Sequence, residues 1–274
     1  MEIGVSLNYK ELNKYPSVYE STGIMPKHVQ VSGLPAEVSK VIGPLSDNIR
    51  YLRSINPEIT ISFHAYKFNL SEKVDKVLRV WLELAKETIN FAADLDIKFV
   101  NFHAGYGSGG TRVRHQAYRE ALIPVLKDLI DTASPYGLEV HLENLYPRPI
   151  HSEIPMIGDR ASDFNCFFSQ IDNPLFKLCY DYGHGNIDEH GIDILRQFSN
   201  RLGSIHAHDN DQMSDTHWPV GNPKKGTINW ENEFNYLKSI NFAGLFILES
   251  SIENQLKSLE YIKNAEALNY CQTL

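Results

Sequence analysis

Polar and apolar residues alternate with a period of two in several short stretches of this chain, and a helical period takes over between them. In 60–64, Ile61 and Phe63 share one face while Thr60, Ser62 and His64 share the other. In 99–103, Val100 and Phe102 oppose Phe99, Asn101 and His103. In 203–208, Ile205 and Ala207 oppose Ser204, His206 and His208. The pattern predicts strands at 3–8, 28–33, 58–65, 97–104, 138–145, 176–182, 202–209 and 243–249. Helical spacing is clearest in 72–94, where Val74, Val77, Leu78, Trp81, Ala85, Thr88 and Ala92 recur and Ser71 stands ahead as an N-cap. Ala117, Leu122, Val125, Leu126, Leu129, Ile130 and Ala133 mark a second helix over 112–135, with Gly137 as its stop. Further helices are predicted over 161–170, 191–199, 230–240 and 252–267, and the stretch after the first strand holds loop and a short helix. Eight strands alternating with helices define one α/β domain over 1–274, a single (βα)8 TIM barrel.

Composition agrees with that plan. The 274 residues are 42% hydrophobic and 22% charged, with no low-complexity run and no linker. A barrel of this type needs about 250 residues. The net charge of −8 provides no global basic field for nucleic acid or an anionic membrane. Cys166, Cys179 and Cys271 are odd in number and show no close pairing, which points to reduced thiols. The N-terminus reads directly as a strand, and no stretch approaches the 18 or so apolar residues of a membrane span. The expectation is a soluble, cytoplasmic protein with no membrane partner; self-association as a homo-oligomer is left open.

The polar strand faces carry the chemistry. The strand-like stretches end in His64, His103, Glu143, Asp181 with His184, His206 and Glu249, and Asp215 and His217 follow the fifth. A parallel barrel gathers the C-terminal ends of its strands on one face, so these residues should converge there. An inner face of His, Asn and Ser is costly if left dry, and should hold metal, water or ligand. A lone inward histidine is more often a core residue bonded to backbone. Seven segments carrying such atoms at the same end displace that reading. Imidazole nitrogens and carboxylate oxygens suit zinc or manganese at about 2.0–2.2 Å.

The motifs HAYKFNL (64–70), NFHAG (101–105), LEN (142–144), DYGH (181–184), HAHD (206–209), DTHWPVG (215–221) and LES (248–250) occur in an order that resembles the xylose-isomerase-like barrel superfamily. That superfamily includes endonuclease IV and many sugar isomerases and epimerases, and the resemblance spans 58–250. It implies two kinds of site. The isomerase type places one metal on Glu143, Asp181, His206 and Glu249, with His184 close by. The endonuclease IV type places three zinc ions on His64, His103, Glu143, Asp181, His184, His206, Asp215, His217 and Glu249. Asp215-x-His217 argues for more than one metal, because simple isomerases usually lack it.

Two activities follow from the resemblance. The leading one is a divalent-metal-dependent isomerase or epimerase, using one to three zinc or manganese ions on a small-molecule sugar or sugar phosphate. Glu143 and Glu249 would remove and return a proton through an enediolate, with His184 as the third catalytic residue. The alternative is an endonuclease IV-like multinuclear zinc phosphodiesterase, in which Glu143 bridges metals or orients the attacking water. A nucleic-acid partner is disfavoured, since GLPAEVSKVIGPL after the second strand offers one Lys and no Arg or aromatic residue. A ligand-binding barrel with structural metals is a third reading. The carboxylate-rich donor set at the barrel mouth weighs against it.

Other segments read more plainly. GYGSGG is not a P-loop, since no Gly-Lys-Ser/Thr follows it. Arg112 and Arg114 form a basic loop that holds a phosphate or is simply solvated. Arg148 and His151 fall in a rim loop after the fifth strand, and Lys224 and Lys225 in an exposed turn. Trp218 floors the pocket or packs beneath it. Tyr66, Lys67 and Phe68 line a sugar pocket or touch a nucleotide.

Overall fold

Strands whose faces differ in polarity can close into a barrel only if one face meets helices and the other lines the interior. The computed structural model describes residues 1–107, 115–147, 154–187 and 191–264. Eight strands pair in parallel and in sequence order to close the barrel: β1 (Glu2–Asn8), β2 (His28–Ser32), β3 (Thr60–His64), β4 (Phe99–His103), β5 (Glu139–Glu143), β6 (Phe176–Asp181), β7 (Leu202–Ala207) and β8 (Leu245–Leu248). The helices are α1 (Tyr15–Tyr19), α2 (Ile42–Ile55), α3 (Asp75–Asp94), α4 (His115–Ala133), α5 (Ala161–Gln170), α6 (Tyr182–Ile187), α7 (Ile192–Gln197), α8 (Trp230–Ser239) and α9 (Ile252–Asn264). The (βα)8 expectation is met. Among the described residues no helix is long and apolar enough to cross a membrane.

The faces divide as the alternation requires. Ile61, Phe63, Val100, Phe102, Ile205 and Ala207 are buried in one apolar core with helix residues such as Ala85, Ile89, Leu126 and Leu129. Inside the barrel a separate small cluster forms from Phe99, Leu245 and Ile247. The Phe99 ring lies between two imidazoles, 5.8 Å from His28 and 3.9 Å from His141, nearly parallel to both. The two histidines satisfy their own nitrogens: His28 with Thr60 Oγ1 (2.8 Å) and Ser62 Oγ (2.9 Å), His141 with Ser204 Oγ (2.8 Å) and Glu139 Oε2 (2.9 Å). Burial pushes both imidazoles below their usual range, so the barrel floor holds them neutral.

Several element edges differ from the sequence expectation. Ser71 does not cap α3; its hydroxyl donates to the Ala104 carbonyl at 2.8 Å. The Glu72 carboxylate instead accepts from the backbone N–H of Lys73 and Val74, and the helix starts at Asp75. Val74 precedes the first turn in extended geometry and is exposed. Val77, in the first turn of α3, is exposed as well. Ala117 is exposed because it lies about 140° round the helix from Leu122 at about 100° per residue. Gly137 ends the α4 segment as expected, at φ +64 after a 3-10 turn over Ser134–Tyr136. The second strand stops at Ser32, where Gly33 turns at φ +70. The segment expected at 191–199 is the shorter α7, followed by a 3-10 turn over Ser199–Arg201. Positions 112–114 and 265–267 of the expected helices, together with Arg112, Arg114, Arg148, His151 and Cys271, lie outside the described residues.

Candidate metal centre

Strand ends supply most of the site. His64, His103, Glu143 and Asp181 are the last residues of β3, β4, β5 and β6. His206 lies at the end of β7, and Glu249 follows β8 with its N–H donating to the Ala207 carbonyl. His184 enters from α6, where its backbone N–H donates to Asp181 Oδ1 at 2.7 Å. Asp215 and His217 come from the long loop between β7 and α8. Asp209 closes that loop: Oδ1 accepts from the N–H groups of Asn210, Thr227 and Ile228, and Oδ2 from Trp230 Nε1. Asp209 and Trp218 also pair backbone to backbone, which carries the intervening segment back over the mouth. His217 sits at φ +48, an uncommon conformation for a residue with a side chain, at the point where its ring is presented to the site.

Glu143 is the hub. Its Oε2 lies 3.3 Å from His64 Nε2, His103 Nε2 and His206 Nδ1, and its Oε1 lies 3.3 Å from His184 Nδ1. Two donors on one tetrahedral zinc with bonds near 2.1 Å stand about 3.4 Å apart, so the three separations at Oε2 match shared coordination. Among the donor groups whose ligand atoms lie within 4.8 Å of one another are His64–His103–Glu143, Glu143–Asp181–His206–Glu249, and His208–Asp215–His217. Glu143 belongs to the first two and would bridge them. His184 Nε2 is 3.4 Å from Asp215 Oδ2, which ties the third group to the others.

The donor chemistry fits a cation. Many of the buried side-chain atoms without a hydrogen-bond partner among the described residues are here, including His103 Nε2, Asp181 Oδ2, both ring nitrogens of His208 and Asp215 Oδ1, while His206 Nδ1 and Glu249 Oε2 face each other at 2.6 Å. Unpaired buried acceptors of this kind are costly unless an ion or water meets them. Three imidazoles are also oriented for ligation. The Nδ1 atoms of His64, His184 and His217 face backbone carbonyls of Ala65, Asn144 and Glu249 at 3.0, 2.8 and 2.6 Å. A carbonyl only accepts, so Nδ1 carries the proton and Nε2 turns its lone pair inward.

Electrostatics follow from this crowding. Burial alone would raise the Glu143 carboxyl, but His103, His206 and His184 outweigh it and hold it well below the usual range. Glu249 and Asp215 are depressed by their imidazole neighbours against the same burial penalty. Burial lowers His184, yet Asp181, Asp215 and Glu143 carry it well above 6.5; His217 rises to about 9 beside Asp215 and Glu249. Without a cation the carboxylates are thus balanced by protons on the rings.

All nine residues expected from the sequence come together. The sequence reading did not assign His208, whose Nε2 is 3.2 Å from Asp181 Oδ1 and 3.6 Å from Asp215 Oδ1. The alternation in SIHAHD, which put His206 and His208 on one face, was the available signal. Asn101 and Asn144 also take part: Asn101 Nδ2 donates to Glu143 Oε2, and Asn144 bonds both backbone groups of Asp181. Trp218 is half-buried in the loop, and Lys224 and Lys225 are exposed as expected. A cavity of about 340 Å³ opens beside the centre, lined by Ser32, Tyr66, Lys67, His64, His217 and Glu249 among others.

A closed parallel barrel with a histidine and carboxylate cluster at its C-terminal mouth defines the class. The chain belongs to the xylose isomerase-like TIM barrel family, whose model matches residues 46–269. It is 25% identical over 224 residues to the uncharacterized protein MJ1311 of Methanocaldococcus jannaschii, covering 79% of this chain and 74% of that one. It is 24% identical over 200 residues to L-ribulose-5-phosphate 3-epimerase UlaE of Salmonella paratyphi A, covering 70% of this chain and 63% of that protein. Among solved structures, a D-tagatose 3-epimerase-like protein superposes with a TM-score of 0.77 at 22% identity, covering 100% of this chain and 99% of that one. Endonuclease IV from Thermus thermophilus superposes with a TM-score of 0.69 at 16% identity, covering 98% and 100%. At these identities the two structures speak to the fold.

Proposed function

We propose that this protein is a divalent-metal-dependent isomerase or epimerase acting on a sugar or sugar phosphate. The observation that carries the reading is the convergence of Glu143 and Glu249. They come from separate strands, share one donor group with Asp181 and His206, and lie 3.3 and 4.0 Å from the same His64 Nε2. Both are held ionised by neighbouring imidazoles, so either can accept a proton from a carbon beside a carbonyl. One removes that proton; the other, once it has taken a proton from an imidazolium beside it, returns one from a second direction, which inverts the carbon or moves the carbonyl. His184, its ring fixed by the Asn144 carbonyl, stands beside them to donate to a substrate oxygen. A divalent ion held by Glu143, Asp181, His206 and Glu249 would supply Lewis acidity to the carbonyl and stabilise the enediolate charge. The likeness to UlaE supports the same substrate class.

A second reading rests on the His208–Asp215–His217 group, which a one-metal epimerase does not need. It favours a multinuclear zinc phosphodiesterase of the endonuclease IV kind. Incubation with a ketose panel in heavy water separates the two. Epimerisation places deuterium on a carbon next to the carbonyl. No exchange with any ketose, together with metal-dependent nicking of an abasic-site duplex, replaces the first reading with the second.

A further inference from the structure

A second cavity of about 210 Å³ adjoins the one beside the candidate centre, walled by Phe68, Tyr106, Leu145, Tyr146 and Met156. The two cavities share Lys67, His103, His184 and Asp215. Lys67 is the one Lys or Arg lining either cavity among the described residues. Lys67 is exposed at the cavity rim, and no ion pair or hydrogen bond of its ammonium is found among the described residues. The remaining ionisable neighbours are carboxylates and imidazoles.

The backbone carrying Lys67 is firmly anchored. The Tyr66 and Phe68 rings pack on Trp81 of α3 at 6.3 and 5.9 Å, and on each other at 5.5 Å. The Ala65 N–H donates to the Asn101 carbonyl, and Asn69 Oδ1 accepts from the Tyr106 N–H at 2.8 Å. The root of the side chain is therefore fixed at the junction of the cavities while its charged head is uncommitted. An ammonium on a flexible stem is a point charge suited to a phosphate.

We infer that Lys67 is the specificity-determining residue of the site and binds a phosphate monoester on the far end of the sugar. This rests on the sugar isomerase reading and narrows it to phosphorylated substrates. The reacting carbons must lie at Glu143 and Glu249. A phosphate close to those two carboxylates would be repelled, so it belongs at the other end of the carbon chain, toward the second cavity, which Lys67 lines and the two glutamates do not.

Binding of unreactive ligands tests this without requiring turnover. Isothermal titration of the protein with a pentitol, its 5-phosphate and the matching pentonate gives three affinities. The phosphate ester should bind about tenfold or more tighter than the pentitol, and the pentonate less tightly than the phosphate ester. Lys67→Met should erase the preference for the phosphate ester over the pentitol, and Lys67→Arg should retain most of it. Equal binding of pentitol and phosphate ester overturns the assignment, as does a preference that survives Lys67→Met, or a pentonate that binds as tightly as the phosphate ester. Heavy-water exchange with a free ketose and its phosphate, run separately, reports on the isomerase reading itself. Loss of that exchange leaves the binding result standing on its own.

Discussion

His184 Nδ1 lies 2.8 Å from the backbone carbonyl of Asn144, and the side chain of the same asparagine bonds both the N–H and the carbonyl of Asp181. One residue of the β5–α5 connection thus sets the direction of a ligand ring and the position of a ligand strand. Neither contact requires Asn144 to touch a metal or a substrate.

Asn144→Ala should therefore weaken divalent-metal affinity about 10- to 100-fold, the usual effect of losing an orienting partner, with the barrel still folded. Competition against a chromophoric chelator measures it, with circular dichroism as the control for folding. Unchanged affinity would assign Asn144 a purely structural part.

Asp163 carries a pH-dependent cost. Burial, with help from Asp159, raises its carboxyl to about 6 despite His115 and the Gly158 N–H. Between about pH 4 and 6 the folded protein holds this proton more tightly than the unfolded chain does. The resulting stability is present at low pH and lost as pH rises through about 6. Relative to Asp163→Asn, the wild type should lose up to about 3 kcal/mol between about pH 4 and pH 8. Urea denaturation of both proteins at several pH values gives the difference; a gap that stays constant with pH would contradict the assignment.

Phe99→Ala tests the barrel floor. The ring is fully buried and flanked by His28 and His141, so its removal should cost about 3–5 kcal/mol of unfolding free energy. A loss below about 1 kcal/mol in urea denaturation would mean that the interior repacks around the gap.

The period-two pattern revealed which side chains point inward, and the candidate residues of β3 to β8 gather at one end of the barrel. It did not reveal depth. His28 and His141 alternate inward like His64 and His206, yet they sit a layer lower and pair with Thr60, Ser62, Ser204 and Glu139. Depth is set by how the strands are staggered, which alternation does not record. His208 escaped assignment because it follows β7, in a loop whose path depends on the Asp209 hydrogen bonds. Ser71 failed as a cap because the Ala104 carbonyl of the neighbouring β4 connection takes its hydroxyl.

The central claim is that Glu143 joins two donor groups, and metal content tests it most directly. Elemental analysis of protein purified without chelator, wild type beside Glu143→Gln and His217→Ala, gives ions per chain. The isomerase reading predicts at least one ion in the wild type, held with Glu143; two or three would favour the phosphodiesterase reading. Glu143→Gln should lose the metal held by the groups it joins while circular dichroism stays unchanged, and His217→Ala should retain that metal, losing an ion only if the phosphodiesterase reading holds. A wild-type chain that retains no divalent metal after dialysis against zinc or manganese, or a folded Glu143→Gln with undiminished metal content, would contradict it.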